Sequence, residues 1–159
     1  QPDIRWKRRD IKSIALLPNC LAKQRAVEAG AYEAWMVEPD GTVTEGSSTN
    51  AWIITADGKL VPRDASHAIL NGITRIALLD CAKRIGVELE ERAFTLDEAL
   101  VASEAFLTSS TNFVMPVVEI DGRPVGDGKP GARTLKLRQA YIDRITGQAQ
   151  AGTAAGATA

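Results

Sequence analysis

The chain has 159 residues, enough for one domain-sized core without help from disulfides or metal. Hydrophobic residues make up 45% and charged residues 25%, ordinary globular values that exclude disorder of the whole chain. Nineteen Lys and Arg against twenty Asp and Glu leave a net charge of -1, so no global positive field exists to recruit nucleic acid or an anionic membrane.

Cys20 and Cys81 sit among apolar residues and have no ligand spacing with the single His67. Buried free thiols in a reducing compartment follow, with the cytoplasm as the expected location and no metal. The opening residues are polar and basic, without the apolar run of a secretory signal, and no stretch approaches the roughly 20 apolar residues of a membrane span. The first residue is Gln1 rather than Met, which reads as a longer protein whose front part is absent.

Residues 10–14 alternate polar and apolar side chains and predict a short strand. Residues 15–29 follow a helical period, with Leu17, Leu21, Ala22 and Val27 on one side, Pro18 near the start and Gly30 as the stop. Residues 32–38 read as a strand, Asp40-Gly41 as a hairpin turn and residues 42–44 as the return. A small polar run, 46–50, precedes the apolar strand 51–54; Asp57-Gly58 then turns the chain into 59–62.

Residues 72–86 form the clearest helix. Ile73, Ile76, Ala77, Leu79, Ala82 and Ile85 fall near one face, and Arg75, Asp80, Lys83 and Arg84 can face water. Thr95 to Glu98 has capping-box spacing, so a second helix is predicted to run toward 102 or 103. Residues 104–108 turn extended, 117–125 make a hairpin about Asp121-Gly122, and 132–146 form a basic amphipathic helix. The Gly, Ala and Thr tail, 148–159, reads as disordered. Hairpins with inserted helices favour a mixed α+β architecture over a doubly wound parallel sheet.

Common site motifs are missing: no serine nucleophile elbow, metal-binding His pair or Walker sequence is present. His67 reads as a polar loop residue. The run 126–131 reads as a turn, since Pro130 and the lack of a Lys-Ser/Thr ending argue against a phosphate loop. Four weaker signals remain. Lys12 stands beside Ile11 and Ile14, where an amine could be desolvated to attack a carbonyl, or could be an ordinary edge-strand lysine. Glu45 precedes small residues that admit a flat ligand, where it could hold a proton on a ring nitrogen or simply be solvated. The helix start 72–75 offers free N–H groups and the Thr74 hydroxyl to an anion or to water. The hydroxyl cluster 108–111 offers further donors or a polar turn. An amine, a ring-nitrogen partner and two phosphate donors are together the requirements of pyridoxal 5'-phosphate.

Residues 10–13, 21–24, 29–34, 44–50 and 69–75 recur in the order and spacing of a known family. Over about residues 3–145 the chain resembles the fold-type IV (class IV) pyridoxal-phosphate aminotransferases, above all their D-amino-acid branch. The resemblance implies a pseudobarrel of mostly antiparallel hairpin sheets with packed helices. It implies that residues 1–147 are the large cofactor-binding domain and that the small N-terminal domain, which helps hold cofactor and substrate, is absent. It also implies a homodimer and transamination between a D-amino acid and a 2-oxo acid.

By position, the resemblance makes Lys12 the Schiff-base and proton-transfer residue and Glu45 the partner of the pyridinium nitrogen. Leu70 matches the residue against the ring face, Ile73 and Thr74 the phosphate cup, and Ser110 a further phosphate donor that is usually Thr. Arg5 and Glu33 match a charged pair near the ring hydroxyl. A branched-chain L-amino-acid aminotransferase of the same superfamily and a truncated, non-catalytic cofactor-binding module are the alternative readings.

Overall fold

A computed structural model describes the backbone of residues 1–156 and the side chains through residue 147. Its centre is a four-stranded antiparallel sheet in the order β4-β3-β5-β6, built from β3 (Asn50–Ile54), β4 (Leu60–Pro62), β5 (Glu104–Ser109) and β6 (Phe113–Val117). All five residues of β3 are buried. Successive side chains of a strand point to opposite faces, so an uninterrupted apolar run fits a strand covered on both. Trp52 and Ile54 join Leu60, Phe106 and Val114 on one face, against α2 (Ile73–Arg84) and α4 (Ala132–Gly156). Ala51 and Ile53 join Val43, Val61, Phe94 and Ala105 on the other. Trp52 stands opposite Phe106 in the β3/β5 register, stacks on its ring at 5.3 Å between centroids, and donates its indole N–H to Thr108 Oγ1 at 2.9 Å.

The hairpins at Asp40-Gly41, Asp57-Gly58 and Asp121-Gly122 form as expected, each with its glycine at positive φ. The first joins β1 (Trp35–Val37) to β2 (Val43–Gly46), and the last joins β7 (Glu119–Ile120) to β8 (Arg123–Pro124). The chain is thus mixed α+β with antiparallel sheets, as read from the sequence. The expected pseudobarrel is not closed: the strands divide among three separate sheets among the described residues. The capping box is present in full at α3 (Leu96–Leu100), with the Thr95 hydroxyl accepting from Glu98 N and the Glu98 carboxylate accepting from Thr95 N.

Several expectations are corrected. Residues 10–14 are irregular, with a turn at Asp10 and bends at Ile11 and Ile14, not a strand: Arg8 folds back onto Asp10 through paired bonds of 2.9 and 2.8 Å, and among the described residues no strand lies alongside. The helix α1 (Leu17–Glu28) turns its small residues inward: Ala22 and Ala26 pack on Ala34 and Met36, and Leu17, Leu21 and Val27 are exposed. In α2 the buried stripe is Thr74, Arg75, Leu78, Cys81 and Ala82, whereas Ile73 and Ile76 are exposed. Arg75 is drawn inside because its guanidinium has fixed acceptors there, Arg63 O and Glu91 Oε2 at 2.7 Å and Asn71 Oδ1 at 2.9 Å. The strand β6 begins at Phe113, four residues before the extended run read from the sequence, and Pro116 is tolerated because β6 is an edge strand. Cys81 is buried as expected, but Cys20 is exposed.

The helix α4 extends to Gly156, beyond the start of the tail expected at 148, and residues 157–159 lie outside the described residues. Its first turn is capped from β5: Glu104 accepts from Arg133 N at 3.1 Å and from Thr134 N at 2.7 Å. A Cβ at Gly131 would stand 2.0 Å from that carboxylate, so a side chain here would displace the Glu104 cap. Those N–H groups are thereby occupied by protein, in keeping with the reading of 126–131 as a turn.

Leu137 is fully buried in α4 against the sheet, and Leu135 is 47% exposed. Leu137→Ala is expected to cost about 2–5 kcal/mol in urea unfolding, and Leu135→Ala about 0.5 kcal/mol or less. Equal losses at the two positions would contradict the docking of α4.

Candidate active site

The end of the central sheet where β3 begins and β5 ends opens into a cleft of about 1270 Å³. Seven of the eight candidate residues line it: Arg5, Lys12, Glu45, Leu70, Ile73, Thr74 and Ser110. Glu33 lies outside the lining. His67 belongs to a separate shallow pocket beside Arg9.

Glu45, on β2, is 5% exposed. Its Oε1 accepts from Arg5 Nη1 at 2.5 Å, and its Oε2 accepts from Asn50 Nδ2 and Leu70 N, each at 3.0 Å. Burial pushes its pKa above the ordinary carboxylate value; the Arg5 charge and the bonds from Arg5 and Leu70 oppose that rise without cancelling it. Asn50 also donates to Leu70 O at 2.8 Å, so one amide ties the first residue of β3 to the loop before α2. A Cβ at Gly72 would stand 2.6 Å from Asn50 Oδ1, so glycine is needed for the loop to come this close.

The start of α2 has no side-chain cap, and the N–H groups of its first turn have no carbonyl partner within the helix. Thr74 is 3% exposed, and its Oγ1 has no hydrogen-bond partner among the described residues. An orphaned hydroxyl beside an uncapped helix start fits an oxyanion such as a phosphate. Ser110 approaches from the turn after β5. Lys12 is exposed on the wall of the same cleft, so the burial expected of a strand lysine is not found.

Arg5 and Glu33, expected as a charged pair near the ring hydroxyl, are not bonded to each other here. Arg5 is held by Asp3, through Nε to Oδ1 at 3.0 Å and Nη2 to Oδ2 at 2.7 Å, and by Glu45. Glu33 instead gathers the 47–49 loop, accepting from the hydroxyls of Ser47, Ser48 and Thr49. Asp3, Thr44 and Asn50 were not singled out in the sequence. Asn50 carries a readable signal, as a polar residue at the head of an apolar strand; Asp3 stands two residues from Arg5, but the Thr44 hydroxyl and Val37 O that fix it come from across the chain.

The family model for amino-transferase class IV matches residues 1–120. The chain is 43% identical over 143 residues to D-alanine aminotransferase of Bacillus licheniformis, covering 90% of this chain and 50% of that protein. It is 44% identical over 139 residues to the D-alanine aminotransferase of Staphylococcus aureus (strain COL), covering 87% and 49%. Among solved structures, the branched-chain amino acid aminotransferase from Thermobaculum terrenum, in its PLP form, superposes with a TM-score of 0.83 at 32% identity, over 88% of this chain and 46% of that one. The branched-chain aminotransferase from Thermoproteus uzoniensis, solved with norvaline, does so with a TM-score of 0.78 at 32% identity, over 83% and 43%. The chain belongs to the class IV aminotransferase family. It spans about half the length of the curated relatives it matches.

The raised pKa of Glu45 sets a pH dependence. Its stabilising contribution is full below the ordinary value of 4.5 and is lost as the pH rises through the raised folded-state value. Glu45→Gln is expected to remove that decline when urea midpoints are followed from about pH 4 to about pH 8. Superimposable pH profiles for the two chains would contradict the assignment.

Proposed function

We propose that the chain carries the cofactor site of a pyridoxal-phosphate-dependent aminotransferase that moves an amino group between a D-amino acid and a 2-oxo acid. The observation that carries this reading is the convergence on one cleft of the Lys12 amine, the buried Glu45 carboxylate and the uncapped start of α2 with its unpartnered Thr74 hydroxyl. Pyridoxal phosphate, when bound, supplies a ring that withdraws electrons from the substrate α-carbon.

The chain's own residues then have distinct tasks. The Ile73 and Thr74 N–H groups, the Thr74 hydroxyl and the Ser110 hydroxyl hold the phosphate. Leu70 packs on the ring, and its N–H steadies Glu45. Glu45 keeps a proton on the ring nitrogen, which preserves the ring's electron demand. Lys12 Nζ is the amine that would hold the cofactor at its carbonyl carbon and, when free, would be the base that takes up and returns the proton of the substrate α-carbon. Arg5 holds Glu45 in place, and Glu33 braces the loop behind the cleft.

The D-alanine aminotransferase relatives support a D-amino acid as donor, and the branched-chain solved structures support a branched-chain L-amino acid as the second reading. Because the chain spans about half of its relatives, cofactor binding without turnover is a separable outcome. The free thiols Cys20 and Cys81 support a reducing compartment, for which we infer the cytoplasm.

Borohydride reduction of the protein mixed with pyridoxal phosphate, followed by peptide mapping, is expected to label Lys12 and to leave Lys12→Ala unlabelled; a label on any other lysine refutes the assignment. In a form with measurable turnover, made by adding the remaining half of a relative in trans, Lys12→Ala is expected to lower transfer from D-alanine by about 10²-fold or more. Faster transfer from L-leucine than from D-alanine would favour the branched-chain reading.

We further infer a homodimer. Ile4, Trp6, Ile14, Leu16 and Leu17 are exposed near the cleft, Ile14 at 99%, and a soluble chain gains by covering such a cluster. Sedimentation is expected to show a species of twice the chain mass, and a clean monomer at all concentrations would contradict this.

A further inference from the structure

We propose that Asp3 is a positioning residue: by occupying the Nε/Nη2 edge of Arg5 it leaves that guanidinium a single contact with Glu45, through Nη1, and so leaves the Glu45 carboxylate free to accept a hydrogen bond from a protonated ring nitrogen. The inference rests on the cofactor reading above and deepens it.

A guanidinium has five donors in a fixed fork and prefers to grip a carboxylate with two nitrogens at once. Arg5 gives that grip to Asp3 rather than to Glu45: Nε and Nη2 reach the two Asp3 oxygens at 3.0 and 2.7 Å, and only Nη1 reaches Glu45. Asp3 is held for this task. Its side chain is fully buried, its backbone N–H donates to Val37 O at 2.9 Å, and its Oδ2 also accepts from the Thr44 hydroxyl at 2.7 Å. Arg9 Nε stands 3.2 Å from the same oxygen, and its other end pairs with Glu38.

Counting charge through this network, three carboxylates (Asp3, Glu38 and Glu45) share two guanidiniums (Arg5 and Arg9). One negative charge is left without a cation of its own, and the geometry locates it at Glu45, the member that faces the cleft. A protonated ring nitrogen is a cation of the size and position to neutralise it. The other groups around Glu45 do not alter the count. Asn50, Thr74 and Thr108 are neutral, Glu33 is engaged with the 47–49 hydroxyls, and the Arg75 guanidinium turns away to Glu91 and Asn71. Two lysines also stand on the cleft wall: Lys12 is the amine assigned to the carbonyl, and Lys23 donates to Tyr32 O and lies over the Tyr32 ring. The directions of titration agree: burial would raise Asp3, but the bonds from Arg5 and Thr44 hold it below the usual range, while Glu45, repelled in part by Asp3, lies above it.

The test uses the full chain without added cofactor, so that it reads the network apart from any binding or turnover. Carbon-13 labelling of Glu carboxyls, assigned with Glu45→Gln, gives the Glu45 titration midpoint. Asp3→Asn is expected to lower that midpoint by about one pH unit or more, as Arg5 swings fully onto Glu45. In an Arg5→Gln background the same substitution is expected to move it far less. An equal drop in both backgrounds would show that Asp3 acts by its charge alone and overturn the proposal, as would no drop in the first. In the unmodified chain, nitrogen-15 spectra are expected to resolve two Arg5 Nη signals, because the clamped fork cannot rotate. A single averaged signal overturns the proposal even if Asp3→Asn fails to fold. Loss of the Lys12 label with these results intact would instead refute the cofactor reading and leave the Asp3 clamp standing.

Discussion

A carboxylate that is 5% exposed, at the mouth of a cleft, imposes conditions on everything around it. Removing a charge from water costs several kcal/mol unless partners replace the lost hydration. Glu45 meets that requirement with three donors from three places in the chain: Arg5 near the amino end, Asn50 at the head of β3 and the Leu70 backbone before α2. Those bonds hold the amino-terminal segment and the loop before α2 against the sheet, and in doing so they shape the wall on which a flat ligand would lie. The same contacts serve stability and site geometry, and the stability is incomplete because the carboxyl still titrates above its ordinary value.

The antiparallel sheet explains why the cleft is where it is. Pairing β3 against β5 places Asn50 opposite Thr108, so the beginning of one strand and the end of the other meet at a single edge. Backbone that leaves the sheet there is free of ladder bonds. The loops it enters, 47–49, 70–72 and 110–112, carry the hydroxyls and amides that a phosphate needs. Trp52 and Phe106, stacked two pairs further in, brace this edge from within the core. The helix α2 then starts at the rim, its first turn aimed at the opening and uncapped by any side chain.

The legible and illegible parts of the fold divide by the kind of interaction involved. The Asp-Gly turns, the capping box at Thr95 and the apolar strand 51–54 were readable because each depends on residues within a few positions of one another. The inward faces of α1 and α2 were misread. A hydrophobic period assigns the largest side chains to the core, but Ala22 and Ala26 let α1 pack closely, and Arg75 found acceptors inside that outweighed its cost of burial. The segment 10–14 has the alternation of a strand and no neighbouring strand to pair with, so its pattern never becomes a ladder.

In the site, residue types marked Lys12, Glu45, the helix start at Thr74 and the 108–111 hydroxyls with ordinary alternatives open, and the family resemblance, carried by motif order along the chain, added Leu70, Ile73 and Ser110. Tertiary structure alone decided the charge partners. Arg5 could have met Glu33 as well as Glu45 on sequence grounds; the clamp by Asp3, itself pinned to β1 and Thr44, selects Glu45. Pairing between buried charges depends on distances of a few ångströms between segments some forty residues apart, and no period or spacing along a chain encodes such a distance.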